Sequence, residues 1–453
     1  MNIIIGDVFS TVQTNDSRVI GILRNVCQAR PDGYQFMPKF KAHRWDGYVS
    51  LAKGLRFPTG LLKRVHKALK ANNYTDIHVI RNRKTLVPYY EVTSDLLDGI
   101  VLRDYQLHAV NALLEAKRGI AKMATNSGKT EVFAAIIKAM SIPKTVVIVN
   151  RKELMYQTAE RLAERLGISI GMLGDSQRIF GTVIVAMIQT VSMLQEHELK
   201  QYFNGNQLVI IDECHHGSAE KMLEVLEKIS GYYRYGFSGT PLKDKVLADL
   251  KLIAYTGEIV TEVTNEQLID MGHSAKPQIH IHEITVDWDK AEDISYHDAY
   301  ARCIVELWLR NEKIIKLAER ASGVTLVVVE RIEHGIILHK YIPNSMFISG
   351  GDSTEDRRLA IDNMRAGLRG TYIATSIFDE GIDVPSIDTL ILAAGGKSTI
   401  RLLQRIGRGL RKKEGTNQLI VHDFIDDTND YLYNHSLERI NVYEKEGFEI
   451  IRE

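Results

Sequence analysis

The sequence predicts an α/β protein: two tandem parallel-sheet lobes, 96–275 and 276–453, preceded by a small basic α/β (α+β) domain, 1–95. Three observations carry this. Strand-like apolar runs alternate with helix-like segments twice over, and such alternation implies parallel sheets joined by helical crossovers. Gly, Ser and Pro interrupt the pattern between Gly272 and Pro277, where a boundary belongs. At 453 residues the chain also exceeds what one hydrophobic core usually serves.

Charge sets the amino-terminal part aside. Between Arg30 and Lys84, thirteen Arg and Lys side chains face Asp32, Asp46 and Asp76, a surplus near ten positive charges in a chain that is neutral overall. Such a local excess is the footprint of a nucleic-acid surface. Leu62, Val65 and Leu69 make an apolar helix stripe, while Lys63, Lys67 and Lys70 fall on another face and are candidate nucleic-acid contacts. Tyr34, Phe36, Phe40, Trp45 and Tyr48 interleave with the charges. Core packing is expected for most of them; stacking on unpaired bases, at ~1–3 kcal/mol each, is the alternative.

The first lobe is expected to hold strands at Ile120–Ala124, Thr145–Val149, Thr182–Ala186, Leu208–Ile211 and Tyr235–Ser238. After the first comes Met123-Ala124-Thr125-Asn126-Ser127-Gly128-Lys129-Thr130, which matches the end of a phosphate-binding loop but has Met123 where the full pattern has glycine. A turn from strand to helix exposes unpaired N–H groups, and the positive end of the helix dipole adds to their pull on phosphate oxygens. Residues Thr125 to Thr130 are therefore the candidate nucleotide loop. Lys129 would reach the β/γ-phosphates, Thr130 would offer its hydroxyl to Mg²⁺, and Gly128 would let the backbone approach the ligand. Asn126 stands where many such loops have glycine and tolerates left-handed dihedrals.

Leu208 to Ile211 is a four-residue apolar run, as in a strand buried on both faces, and Asp212 and Glu213 follow at its carboxyl end. There, carboxylates project into the crevice where parallel sheets bind ligands. Asp212 is placed to hold Mg²⁺ and Glu213 to polarise the water that attacks the γ-phosphate. Cys214, His215 and His216 suggest a metal, but the acidic pair accounts for this stretch better.

The second lobe repeats the plan, with strands expected at Val324–Val329, Met346–Ile348, Tyr372–Thr375, Thr389–Ala393 and Leu419–Asp423. It carries Gln404-Arg405-Ile406-Gly407-Arg408-Gly409-Leu410-Arg411, in which Arg408 and Arg411 share a helix face. Arginine's fork of donors suits a γ-phosphate, and a well-placed finger is worth about 10³–10⁵ in phosphoryl-transfer rate. Gln404 and Arg405 are placed to bridge the water, Glu213 and the facing lobe. The tail from Asp423 onward is acidic but rich enough in Tyr, Ile and Leu to pack as a final helix or two, its acids read as ordinary surface.

In this order the motifs resemble the superfamily 2 helicases and translocases, over about residues 100–425. The resemblance implies RecA-like lobes, ATP and Mg²⁺ as cofactors, and hydrolysis coupled to movement on nucleic acid. Tyr105 and Gln106, in LRDYQLHAV, look like the adenine-reading segment. Arg151, in NRKELMYQ, and Gln189 with Thr190, in AMIQT, resemble strand-gripping motifs. Ser238-Gly239-Thr240 is similar to the element coupling hydrolysis to movement. In ATSIFDEGIDVP, Gly381 and Asp383 would approach the nucleotide and Thr375 the nucleic acid. The two lobes would close on ATP and reopen on product release.

Asp32 to Phe40, Trp45-Asp46-Gly47 and Phe57 to Leu61 look like the amino-terminal domain of the phage UvsW-type helicases. That implies a 3′-to-5′ DNA helicase on forks and Holliday junctions, serving recombination, repair or replication, in the host cytoplasm. An RNA helicase, or an unwinding-free duplex translocase of the restriction or remodelling type, stays open, because strand-gripping contacts go to phosphates and carry little sequence information. A non-catalytic ATP-binding clamp is disfavoured by the intact Lys129, Asp212, Glu213, Arg408 and Arg411 set. Composition agrees: 45% hydrophobic and 25% charged residues are those of an ordinary globular protein. The apolar runs are too short to cross a bilayer, no secretory signal opens the chain, and Cys27, Cys214 and Cys303 fit neither a disulfide framework nor a zinc site.

Overall fold

The computed structural model describes residues 1–81, 90–124, 126–214, 219–242, 245–274, 276–286, 294–375, 387–396 and 418–453. They form two compact units, Met1–Val263 and Thr264–Glu453.

The first unit opens with a four-stranded sheet in the order Arg56–Pro58, Phe9–Gln13, Asn2–Ile5, His78–Arg81, the last pair parallel and the others antiparallel. Alternate residues of Phe9–Gln13 are buried, as in a sheet with one wet face. Helices Arg18–Val26 and Leu62–Ala71 bury Val19, Leu23, Val65 and Leu69. This apolar layer does not end at the small domain. Ile3, Val12, Leu61 and Val65 belong to the same cluster as Val146, Val209, Ile253 and Ala254 of the parallel sheet and its helices. Arg64 pairs with Glu258 at 2.5 Å and Ser230 donates to Asp7 at 2.5 Å, so polar contacts ring the apolar joint.

The expected core packing of the aromatic residues is not found. Among Tyr34, Phe36, Phe40, Trp45 and Tyr48 none is buried. Gly33 and Pro38 break this stretch into a single 3₁₀ turn, Tyr34–Phe36, and a one-turn helix, Pro38–Lys41, neither long enough to present a continuous apolar face to the core.

The eight-stranded sheet of the first unit runs Gln177–Ile179, Gly171–Gly174, Val183–Met187, Thr145–Val149, Leu208–Asp212, Tyr233–Ser238, Arg118–Met123, Ile259–Val263. Every pairing is parallel except the hairpin at the first edge. Thr145–Val149, Leu208–Asp212 and Tyr233–Ser238 are buried along their whole length, as strands covered on both faces are; the buried Arg234 in the third donates to the Gly231 and Leu226 carbonyls, each at 2.9 Å.

The second unit holds a seven-stranded, wholly parallel sheet: Met346–Ile348, Gly370–Ala374, Val324–Val328, Thr389–Leu392, Gln418–Asp427, Lys276–Thr285, Glu449–Arg452. Helix Asn265–Asp270 joins it through Ile269, packed on its core, and through Asn265, which donates to Glu446 at 2.8 Å. The tail closes this unit with helix Asp430–Lys445 and the edge strand Glu449–Arg452. Two of its acids are not surface residues. Asp423 accepts from Arg439 at 2.9 Å and Asp426 from Arg310 at 2.7 Å, all four side chains buried. A carboxylate keeps its charge out of water only when a partner and further hydrogen bonds meet it, and here Tyr443 and the Ala393 carbonyl complete the two pairs. Among the described residues no helix is long and apolar enough to cross a membrane.

Candidate active site

The site is built at the carboxyl ends of three adjacent strands, where an open parallel sheet leaves its ligand crevice. Arg118–Met123 leads into the phosphate loop, Leu208–Asp212 into the acidic pair, and Tyr233–Ser238, lying between them, into Ser238-Gly239-Thr240.

Helix Lys129–Ala139 starts on Gly128, whose φ of +74° and that of Asn126, +68°, turn the loop back over the helix end. Both are the left-handed positions that glycine and asparagine tolerate. Gly128 is also held to glycine by space, since a Cβ there would collide with the Gln106 amide. Gln106, buried on helix Asp104–Ala116, donates to the Ser127 carbonyl at 2.9 Å and accepts from the Arg103 N–H at 2.9 Å. The Tyr105 hydroxyl donates to the same carbonyl at 3.1 Å and is met by Arg103 at 2.9 Å. Tyr105 and Gln106 thus brace the loop from beneath. Arg103 was not singled out from sequence; its signal was its place at the helix start, three residues before Gln106.

Lys129 reaches across the crevice and donates to Glu213. Burial opposes the Lys129 ammonium, but the Glu213 and Asp212 charges outweigh it and hold its pKa above the ordinary lysine value. Asp212 is buried, and burial followed by the Glu213 charge pushes its carboxyl up to about 6. Glu213 stands at φ +46°, its N–H donating to Asp212 at 3.0 Å. Thr130 is the second residue of the helix and half-buried. The Ser127 hydroxyl, within the loop, is buried with no hydrogen-bond partner among the described residues. Two carboxylates, one ammonium and an unmatched hydroxyl around exposed helix N–H groups fit a polyanion with a divalent cation.

The Cys214 thiol is packed against Gly236, and burial pushes its pKa up, which suits a structural group. His215 and His216 lie outside the described residues.

Further along the same sheet edge, Arg151 precedes helix Lys152–Leu166 after strand Thr145–Val149, and Gln189 with Thr190 follows the neighbouring strand Val183–Met187. Gln189 donates to the Asn150 carbonyl at 2.8 Å, so the two strand-gripping motifs are tied together. The Asn150 side-chain oxygen, at the start of the first of these motifs, is buried with no partner among the described residues. Lys63, Lys67 and Lys70 are exposed on the outer face of helix Leu62–Ala71. Thr375, in the second unit, is buried after strand Gly370–Ala374 and donates its N–H to Ile348 at 3.2 Å. Thr125, Gly381, Asp383, Gln404, Arg405, Arg408 and Arg411 lie outside the described residues.

Comparison with known families divides the chain as its motifs do. Residues 99–243 match the res subunit of type III restriction enzymes, 305–413 the helicase conserved C-terminal domain, and 3–79 the N-terminal domain of DNA helicase UvsW. The ATP-dependent DNA helicase uvsW of Enterobacteria phage T4 is 24% identical over 95% of this chain and 94% of its own length. The chain belongs to the superfamily 2 helicases. This helicase is also similar to the DNA 3′-5′ translocase XPB2 of Sulfurisphaera tokodaii, 27% identical over 74% of this chain and 84% of the relative. In fold it is similar to a fragment of a putative HsdR subunit of a type I restriction enzyme from Vibrio vulnificus, with a TM-score of 0.57 and 17% identity, covering 88% of this chain and 78% of that one. The helicase is an ATP-hydrolysing enzyme built on two RecA-like domains behind a UvsW-type amino-terminal domain.

Proposed function

We propose that this helicase unwinds or branch-migrates forked and four-way-junction DNA, in recombination, repair or replication. The observation that carries the proposal is the joint inside the first unit. The basic domain shares one apolar core with the sheet that bears Lys129, Asp212 and Glu213. DNA phosphates held on Lys63, Lys67 and Lys70 are then held by the same compact body that binds the nucleotide. The curated relatives named for DNA support the same substrate.

At the nucleotide, a γ-phosphate carries more negative charge than Glu213 and draws Lys129 to itself, which leaves Glu213 to polarise the attacking water. Tyr105 and Gln106 brace the loop from Thr125 to Thr130, and Gln106 is assigned to the base on its motif. Thr130 and Asp212 would hold Mg²⁺, which neutralises phosphate charge when bound. Arg151, Gln189, Thr190 and Thr375 grip the backbone of one strand. Gly381, Asp383, Gln404, Arg405, Arg408 and Arg411 are assigned to the nucleotide on their motifs.

The test compares ATPase stimulation and strand displacement on single-stranded DNA, forked DNA, a four-way junction and an RNA duplex. Greatest stimulation and displacement on forks and junctions is expected. Greatest stimulation by RNA overturns the substrate, and stimulation without displacement or branch migration on any DNA makes the protein a translocase.

A further inference from the structure

The segment from Gly33 to Trp45 contains no acidic residue, and it carries Lys39, Lys41 and Arg44 around Phe36 and Met37. Phe36 is 69% exposed and Met37 38%, although both are large and apolar. The Lys41 ammonium lies 5.9 Å from the centre of the Phe36 ring. An exposed apolar tip with a cation beside its ring, in a segment whose other charges are all basic, suits a surface that stacks on one flat apolar group while neutralising the anions next to it.

The tip is held stiffly. Gly33, at φ +68°, starts the turn, which Phe36 closes on the Gly33 carbonyl at 2.9 Å and Met37 closes on that of Tyr34 at 3.1 Å. Beneath it, the Arg30 guanidinium is sandwiched between the Tyr34 and Tyr48 rings, 4.6 and 4.5 Å from their centres, and donates to the Tyr34 hydroxyl at 2.8 Å. Tyr34 also meets Phe40 edge-on at 4.9 Å. Gly47 leaves the room for this stack, since a Cβ there would stand 2.8 Å from the Tyr34 ring and 3.2 Å from Arg30. The flanking acids are engaged elsewhere: Asp46 pairs with Arg24 at 2.8 Å and Asp32 faces Lys245 at 3.8 Å. A ring held out on a braced turn loses little freedom on binding, so nearly all of its stacking energy is available to a ligand.

We propose that Phe36 is a base-stacking tip that takes an unpaired nucleobase at the branch point of DNA, with Lys39, Lys41 and Arg44 on the phosphates beside it. The charge of these basic side chains selects a polyanion, and the flat exposed ring selects one with free bases. The proposal rests on the assignment of branched DNA as substrate and names the part of that substrate the amino-terminal domain reads.

The experiment is a double-mutant cycle on the full chain. Wild type and Phe36→Ala are titrated against a fork with intact bases at the branch and against the same fork with abasic sites there. On the intact fork Phe36→Ala should bind about tenfold more weakly, the size of one lost base–aromatic stack. On the abasic fork the two proteins should bind equally. Phe36→Trp should restore intact-fork affinity, with its added indole fluorescence quenched on binding. Equal affinity of wild type and Phe36→Ala for the intact fork overturns the tip, as does an equal loss on both forks, which would make the ring a structural support. A wild-type ATPase that no DNA stimulates overturns instead the substrate on which the tip rests. A DNA-stimulated enzyme indifferent to Phe36 refutes the tip alone.

Discussion

Glu213 sits in a backbone region that costs a side chain about 1–3 kcal/mol, immediately after a fully buried strand. The bend swings its carboxylate off the line of the strand and onto Lys129, while its own N–H turns back to Asp212. The strain is offset by a charge pair and a charge-assisted hydrogen bond in a water-poor crevice. Glu213→Gln keeps the shape and removes the proton acceptor, so ATP turnover should fall by at least about 10²-fold while ATP binding and the fold survive. Unchanged turnover would take the role of general base away from Glu213. Asp212 gives a second, pH-dependent outcome. Its folded-state pKa of about 6 lies above the ordinary aspartate value, so ionisation works against the fold. The stabilising effect of the protonated form is complete below about pH 4 and is lost as pH rises through 6. Asp212→Asn should therefore raise the nucleotide-free Tm at pH 7.5, by about 2–4 °C per kcal/mol relieved, and raise it less at pH 5, while ATP turnover is lost at both. An equal Tm gain at the two pH values would mean that the carboxyl is not held up by its surroundings.

At the scale of elements, the joint between the basic domain and the first parallel sheet turns on one glycine. Gly60 stands so close to the Ile253 and Ala254 carbonyls that a Cβ would collide with both. Gly60→Ala should push helix Leu62–Ala71 off helix Val246–Tyr255 at a cost of about 1–3 kcal/mol. Hydrogen exchange should then quicken in Leu62–Ala71 and not in Lys129–Ala139; unaltered exchange in both would mean that the backbone yields without undocking. No sequence pattern pointed to this joint, because it depends on residues nearly two hundred positions apart. Most of the ten predicted strands were legible as apolar runs bounded by polar or turn residues, and all ten are present within two residues at their starts. The hairpin Gly171–Ile179 lacks such a run, and Lys276–Thr285 alternates Ile with His, so its strand character rests on pairing with the distant Gln418–Asp427. Asp423 and Asp426 were read as surface for the same reason: their partners Arg439 and Arg310 are brought to them only by the fold. Local chemistry was more readable. The left-handed Asn126 and the Lys129–Asp212–Glu213 grouping follow from residue type and order, whereas the packing of Gln106 against Gly128 and the bracing by Arg103 required coordinates.

For the whole molecule, zero net charge conceals a division of labour, since the surplus of positive charge is concentrated in the first 84 residues. A uniformly neutral protein has little salt-dependent pull on DNA, but a cationic face releases counterions for each phosphate it covers. Lys63, Lys67 and Lys70 share one exposed face, and Arg64 beside them is already committed to Glu258. Those three lysines are therefore the ones in helix Leu62–Ala71 available to phosphate. Reversing all three to Glu should weaken junction binding and make the slope of log affinity against log salt shallower by about 2 to 3, near 0.9 for each lost phosphate contact. Far-ultraviolet circular dichroism and Tm should stay as in wild type, because the lysines are exposed and their helix is held by the buried Val65 and Leu69. A salt slope identical to that of wild type would mean that junction DNA passes this face without touching it, and the anchoring of DNA to the ATP-binding unit would have to be sought on another surface.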